Sequence, residues 1–270
     1  MERIRNTVQL AKASWQVLQA DKELMLLPVL SAVASLIIGA TFVLPVAIMT
    51  GGEGPASAIA GAIGYFVLSF VVIFFNTALV SAAHERLAGG DPTLGSALRA
   101  ATGHLPAILG WSLISATVSA ILKAIEERAG FIGALVASLA GLAWTLVTYL
   151  VIPIYVVEGL GVIDSIKRSA ELFKRTWGEN VAASVGFGLL GFIAFLPLAL
   201  IVFLGVASGV TAVIVTTIVI AVVALILVSI TLSTLSGIFQ TALYLYATSG
   251  VVPDAFAGTN LATAFRPKRR

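Results

Sequence analysis

The chain contains no cysteine, which excludes disulfides, thiol catalysis and cysteine-ligated metals. It is nearly as poor in charge. Asp, Glu, Lys and Arg make up 11% of the residues, against about 25% in a soluble domain. Histidine occurs twice, at His84 and His104, in one connection with no carboxylate set around the pair, so no metal site is expected. HExxH, P-loop and GxSxG patterns are absent, and no acid or base lies deep in an apolar run, which argues against a proton relay. These absences lead to the expectation of a protein that is not an enzyme and carries no cofactor.

What the chain has in abundance is apolar sequence. Of its 270 residues 59% are hydrophobic, and the mean hydropathy is +1.05. Six runs, 24–49, 58–83, 105–125, 131–157, 181–206 and 210–247, have the roughly 20 residues needed to cross a bilayer. The first is too long for the ~7–15-residue core of a secretory leader, so it is read as a retained span, and Ala56-Ser57-Ala58 as a chance cleavage-like triplet. The last would form a helix of about 57 Å at ~1.5 Å per residue, longer than a bilayer. It is expected to stay one helix bent near Gly237, with a break at Ser233-Thr234-Leu235-Ser236-Gly237 or an outer apolar hairpin as alternatives. Pro28, Pro45, Pro153 and Pro197 should kink or cap the spans they lie in or near.

The basic residues fix a topology on these six spans. Arg3, Arg5, Lys12 and Lys22 precede span one; Arg86 and Arg99 follow span two; Lys167, Arg168, Lys174 and Arg175 follow span four; Arg266, Lys268, Arg269 and Arg270 form the tail. These zones hold fourteen of the sixteen Lys and Arg residues and all fall on one side, leaving only Lys123 and Arg128 outside. The positive-inside rule then places both termini in the cytoplasm. The pI near 9.3 reflects these flanks, and no nucleic-acid partner is expected.

The expected organisation is a single all-α integral membrane domain with six transmembrane helices. It comprises an interfacial helix (1–23), hairpin one (24–83), a connection with hairpin two (84–157), an interfacial helix (158–180), hairpin three (181–247) and a basic cytoplasmic tail (248–270). In the first helix Ile4, Val8, Ala11, Trp15 and Leu18 recur at helical spacing, as in a helix lying in the interface or packed on the protein's own cytoplasmic ends. In the second, Val162, Ile163, Ile166, Ala170, Phe173 and Trp177 form an apolar stripe, with Asp164 or Ser165 near its start and Gly178 after its end as caps. On its wet face Lys167, Arg168, Lys174 and Arg175 are candidate contacts for anionic lipid headgroups, or simply obey the positive-inside rule.

An internal repeat is suggested by Phe75-Asn76-Thr77-Ala78-Leu79 and Phe239-Gln240-Thr241-Ala242-Leu243. Each pentapeptide lies about sixty residues after a tryptophan, Trp15 or Trp177, that closes an amphipathic helix. Three parallel hairpin repeats about an axis along the membrane normal would follow, enclosing a cavity or packing solidly. Asn76 and Gln240 are candidate intramembrane polar contacts. Glu85 and Glu158 are candidate interfacial ion pairs, with Arg86 or Arg99 and with Lys167 or Arg168. Gly133, Ala137 and Gly141 form a small-residue face for an internal neighbour or a second protomer.

Two stretches carry a family likeness. Pro153-Ile-Tyr-Val-Val-Glu158, followed by Ser165-Ile-Lys-Arg-Ser169 and Trp177, resembles a pattern in multi-pass bacterial membrane families. Ser14-Trp15-Gln-Val-Leu18, then Asp21-Lys-Glu-Leu24 and Pro28, is similar to the start of an uncharacterised six-span domain of unknown function, distantly like the membrane domain of glycerophosphodiesterases. The resemblance implies a multi-pass protein of the prokaryotic plasma (inner) membrane. It supplies no activity, because the soluble phosphodiesterase domain is absent. The expected function is a non-catalytic scaffold or accessory subunit that binds membrane lipids or a partner membrane protein, or forms a homo-oligomer. The alternative is a transporter or channel for a small or amphipathic solute.

Overall fold

The computed structural model describes residues 2–50, 54–128, 130–177, 186–257, 259 and 261, and among these there is no strand. The chain runs through α1 (Glu2–Ala20), a 3-10 turn (Lys22–Met25), α2 (Leu26–Ile38), a π turn (Gly39–Val43), α3 (Leu44–Thr50), α4 (Gly54–Leu87), α5 (Leu94–Gly103) and α6 (Leu105–Arg128). It continues through α7 (Gly130–Val147), α8 (Val151–Val157), α9 (Val162–Trp177), α10 (Gly186–Ala207), α11 (Thr211–Ser249) and a closing 3-10 turn (Asp254–Phe256).

Five segments are long and apolar enough to cross a membrane by length and composition: Lys22–Met49, Ser57–Leu87, Leu105–Arg128, Gly133–Val157 and Thr211–Ser249. A shorter apolar helix, Phe195–Ala207, is the part of α10 whose side chains are described. Gly178, the Trp177 side chain and the basic tail from 262 onward lie outside the described residues.

α4 is the central element. Ile73, Thr77, Ala78, Leu79, Val80, Ala82 and Ala83 are buried along it, and α2, α5, α6, α8 and α11 all pack on it. At one end of the bundle α1 lies on α11 and the closing turn, α5 on α4, and α9 on α7 and α8. A long-range bond locks this end: the Leu94 N–H donates to Glu23 Oε2 at 3.1 Å. α5 begins with a capping box, in which the Ser96 N–H donates to Thr93 Oγ1 and the Thr93 N–H to Ser96 Oγ.

The prolines act where their missing N–H predicts. Pro28 sits in the first turn of α2, where that N–H has no partner to lose. Pro45 follows the π turn, whose wider winding takes up the lost rung. Pro153 follows a full break between α7 and α8 at residues 148–150. Pro197 lies inside α10 without interrupting it.

α11 runs for 39 residues without a break, about 58 Å at ~1.5 Å per residue. The alternative break near Gly237 is therefore corrected. Gly237 serves instead as a close approach to α4, since a Cβ there would stand 2.6 Å from Leu79 Cδ2. The helix stops at Gly250, whose φ of 73° is a left-handed conformation that glycine adopts at little cost.

Both amphipathic stripes are rotated from the expected ones. In α1 the buried residues are Leu10, Ala13, Ser14, Val17 and Leu18, while Trp15 is 40% exposed. Leu18 alone belongs to both sets, and the side chains of Ile4 and Val8 lie outside the described residues. The helix turns its aliphatic residues inward, and an indole with a polar edge tolerates the rim better than they would. In α9 the fully hidden positions are Ser165 and Ser169, beside Leu172 and Phe173, while Ile163 is 55% exposed. α9 starts at Val162, so Asp164 and Ser165 are first-turn residues rather than caps.

Candidate functional site

The break between α7 and α8 gathers most of the polar residues singled out in the sequence. Its cause is local. Pro153 has no N–H to give the carbonyl of Tyr149 four residues back, and its ring crowds that carbonyl. The chain tightens before it, with the Val151 N–H donating to Thr148 O at 3.1 Å, and the regular ladder resumes with Ile154 N–H to Leu150 O at 3.0 Å. Backbone groups left open inside an apolar bundle cost free energy unless side chains reach them.

Two side chains from other helices do so. The Gln240 amide of α11 donates to Tyr149 O, 91 positions away in sequence. Ser169 Oγ of α9 donates to Val147 O at 2.5 Å and accepts from the Leu150 N–H at 3.2 Å. One hydroxyl thus bridges the last carbonyl of α7 and an open amide just before α8. This is why Ser169 is buried although it is not part of the expected apolar stripe. Thr148 Oγ1 donates to Trp144 O at 2.7 Å within the last turn of α7, and the Trp144 ring stacks on Trp111 of α6 with centroids 5.9 Å apart.

α8 carries the bracing onward. Tyr155 is fully buried and its hydroxyl lies 2.5 Å from Thr77 Oγ1 on α4. The His104 ring stands 5.9 Å from the Tyr155 ring, and burial lowers the imidazole pKa below its usual 6.5. At the end of α8, Glu158 accepts from Tyr244 Oη at 3.1 Å and pairs with Arg168 Nε at 3.4 Å. The second candidate acid behaves differently. Glu85 accepts from Ser96 Oγ at 3.4 Å, while Arg86 pairs with Asp91 at 3.4 Å.

The four basic residues of α9 divide. Arg168 is held by Glu158 and by Glu171 at 3.8 Å. Arg175 donates to Ala247 O at 3.0 Å, satisfying a carbonyl in the last turn of α11. Lys167 pairs with Asp164 on its own helix at 3.2 Å, where both side chains are mostly exposed and the pair is weak. Lys174 is exposed, on the rim of a shallow surface groove beside Arg168 and Arg175.

Asn76 and Gln240 hold matching places in the two pentapeptides but do different things. Gln240 bridges helices, whereas Asn76 faces a cleft between α2, α4 and α11. Their neighbours do match: Thr77 donates to Ile73 O and Thr241 to Gly237 O, each four residues back. On α7, Gly133 and Ala137 are buried, α6 packs along the helix, and a Cβ on Gly141 would lie 3.6 Å from Leu122 of α6. The small-residue face therefore meets an internal neighbour at Gly141. The two histidines belong to no group of three or more metal-ligand side chains among the described residues.

The brace at the break was missed in the sequence. Pro153 marked its position, but no local signal pairs it with Ser169 or Gln240.

No curated protein and no solved structure matches the chain significantly. Residues 55–253 match a sequence family described as a family of unknown function (DUF6159), a span that contains the break and all of the residues that brace it. Since this match extends over most of the sequence, the chain belongs to that family.

Proposed function

We propose that the protein is a non-catalytic multi-pass membrane scaffold or accessory subunit that binds lipid or a partner membrane protein. One observation carries this reading. The polar side chains gathered at the α7–α8 break are spent on one another and on open backbone groups, which describes a rigid frame. The surfaces left to act are apolar faces such as Leu36, Ile48, Phe203, Ile220 and Leu227, all exposed, and the lysines of α9. Apolar exposure on this scale suits lipid or a membrane partner rather than water.

In this reading α10 completes a sixth span and the bundle sits in a prokaryotic plasma membrane. α1, α5 and α9 lie at its cytoplasmic surface, and both ends of the chain are cytoplasmic. The element order, a short helix followed by two spans, taken three times, supports three parallel hairpin repeats. The charge asymmetry supports the orientation. Lys167 and Lys174, less engaged than Arg168 and Arg175, are the headgroup contacts, at about 1 kcal/mol each near an anionic surface.

Purification at native expression in mild detergent, with mass spectrometry of what remains bound, tests the proposal. A stoichiometric protein partner or an enriched lipid is the expected result. A homogeneous protein that retains neither, yet moves a solute across proteoliposomes, would overturn it in favour of a transporter. That second reading draws on the polar-lined cleft beside Asn76.

A further inference from the structure

The cleft between α2, α4 and α11 has a volume of about 230 Å³ and a lining unlike the rest of the bundle. Ser31 and Ser35 of α2 face it one turn apart, Ser229 and Ser233 of α11 do the same, and Asn76 of α4 lies between. Its other walls are apolar, and no charged residue lines it. Val72, which is exposed, stands on its rim well inside the Ser57–Leu87 span, so the mouth opens on the side of the bundle.

Hydroxyls elsewhere in these helices donate to the carbonyl four residues back. Ser81 of α4 does so to Thr77 O at 2.8 Å, and Thr231 and Thr234 of α11 to Leu227 O and Ile230 O, both at 2.9 Å. The four cleft serines and Asn76 have no hydrogen-bond partner among the described residues, and Ser35 Oγ is buried without one. Ser31 and Asn76 are half-buried and Ser229 and Ser233 exposed along the open side; Ser35 Oγ is the enclosed one, and because enclosed polar groups are nearly always paired, it implies an occupant that supplies its partner.

The occupant's chemistry follows from the wall. A lining without charge selects a neutral group. Hydroxyls that donate and accept, beside an amide that does both, suit a group carrying a hydroxyl together with carbonyl oxygens. The volume equals about eight waters at ~30 Å³ each, enough for a glycerol unit with its ester groups. A mouth on the side of the bundle admits a molecule whose chains stay in the bilayer. We propose that the cleft binds the uncharged head of a glycerolipid with a free hydroxyl, of the diacylglycerol type. The proposal rests on the membrane-embedded reading above.

The full chain would be placed in phosphatidylethanolamine/phosphatidylglycerol nanodiscs with dioleoylglycerol, with trioleoylglycerol, or with free glycerol. Bound lipid would be read by native mass spectrometry and stability by thermal melting. A dioleoylglycerol adduct and a raised Tm are expected, with neither from trioleoylglycerol, which has no hydroxyl to donate. Ser35→Ala/Asn76→Leu should weaken retention about thirtyfold, two hydrogen bonds at ~1 kcal/mol each. Should that variant misfold, Ser35→Ala/Ser233→Ala removes two hydroxyls with minimal change in shape and serves the same comparison. Equal retention by the variant, no adduct, or the same stabilisation from free glycerol each overturns the proposal. A chain stripped from membranes by carbonate overturns the membrane reading itself. A carbonate-resistant chain that binds no dioleoylglycerol overturns only this inference.

Discussion

Replacing Gln240 with leucine should destabilise the bundle only while Pro153 is present. Gln240→Leu keeps the side-chain volume roughly constant and removes the donor to Tyr149 O. An unpaired buried acceptor costs about 1–3 kcal/mol. Interhelical hydrogen bonds between membrane helices average nearer ~0.6 kcal/mol, with a maximum of ~1.7. Gln240 is only partly buried, so we expect about 1 kcal/mol, or a factor of about five in the folding equilibrium. Pro153→Ala changes that arithmetic. The next rung of the ladder, Ile154 N–H to Leu150 O, is already regular at 3.0 Å, so an amide at 153 would stand one rung before it, facing Tyr149 O. In that background Gln240→Leu should cost close to nothing, giving a coupling of ~1 kcal/mol. Denaturant titrations in mixed micelles on the wild type, the two single variants and the double variant would measure it. Equal costs of Gln240→Leu in both backgrounds, within about 0.3 kcal/mol, would refute the idea that the amide replaces the bond the proline removes.

Two further outcomes follow from close contacts and burial. Gly237→Ala places a Cβ 2.6 Å from Leu79 Cδ2 and should cost about 1–3 kcal/mol as overpacking; Leu79→Ala should recover part of that loss in the same unfolding assay, and an additive double variant would argue against the contact. Burial raises the Asp21 carboxyl pKa above its usual 3.8, against the opposing effects of the Glu23 backbone amide and Arg86. A folded pKa above the unfolded one means that stability is present at low pH and lost as pH rises from about 3.8 through the raised value. Asp21→Asn keeps an acceptor for the Glu23 amide, so it should melt above the wild type at pH 7 and level with it near pH 3.5; a lower melting point at pH 7 would show that attraction to Arg86 outweighs burial.

Composition and hydropathy made the helical class and five apolar helices of membrane-crossing length legible, because a run of some twenty apolar residues has few other uses. They did not reveal which face of an amphipathic helix turns inward. In α9 the expected apolar stripe left out Ser165, read as a possible cap, and Ser169. Both are fully buried, and Ser169 is so because an adjoining break offers its hydroxyl a carbonyl and an amide. A hydrophobic pattern treats a serine as a cost, whereas next to open backbone groups it becomes a brace. Trp15 shows the converse, an aromatic placed on the apolar stripe that stays partly exposed while Leu10 and Val17 go in.

The paired pentapeptides make the same point about function. Thr77 and Thr241, and the Ala-Leu that follows each, keep equivalent buried places, which the similarity of the two sequences anticipates. The amides beside them diverge because their surroundings do. Gln240 lies opposite the carbonyl that Pro153 leaves open, and the longer glutamine reaches it. Asn76 faces α2 and α11, beside four serines. One of the two residues is therefore explained by the protein's own backbone, and the other is not. An unpaired amide beside the orphaned Ser35 hydroxyl, one turn or less from residues whose partners are all within the protein, is better accounted for by a ligand than by folding. That places the search for this protein's function in the cleft beside α4 rather than at the more conspicuous break in α7–α8.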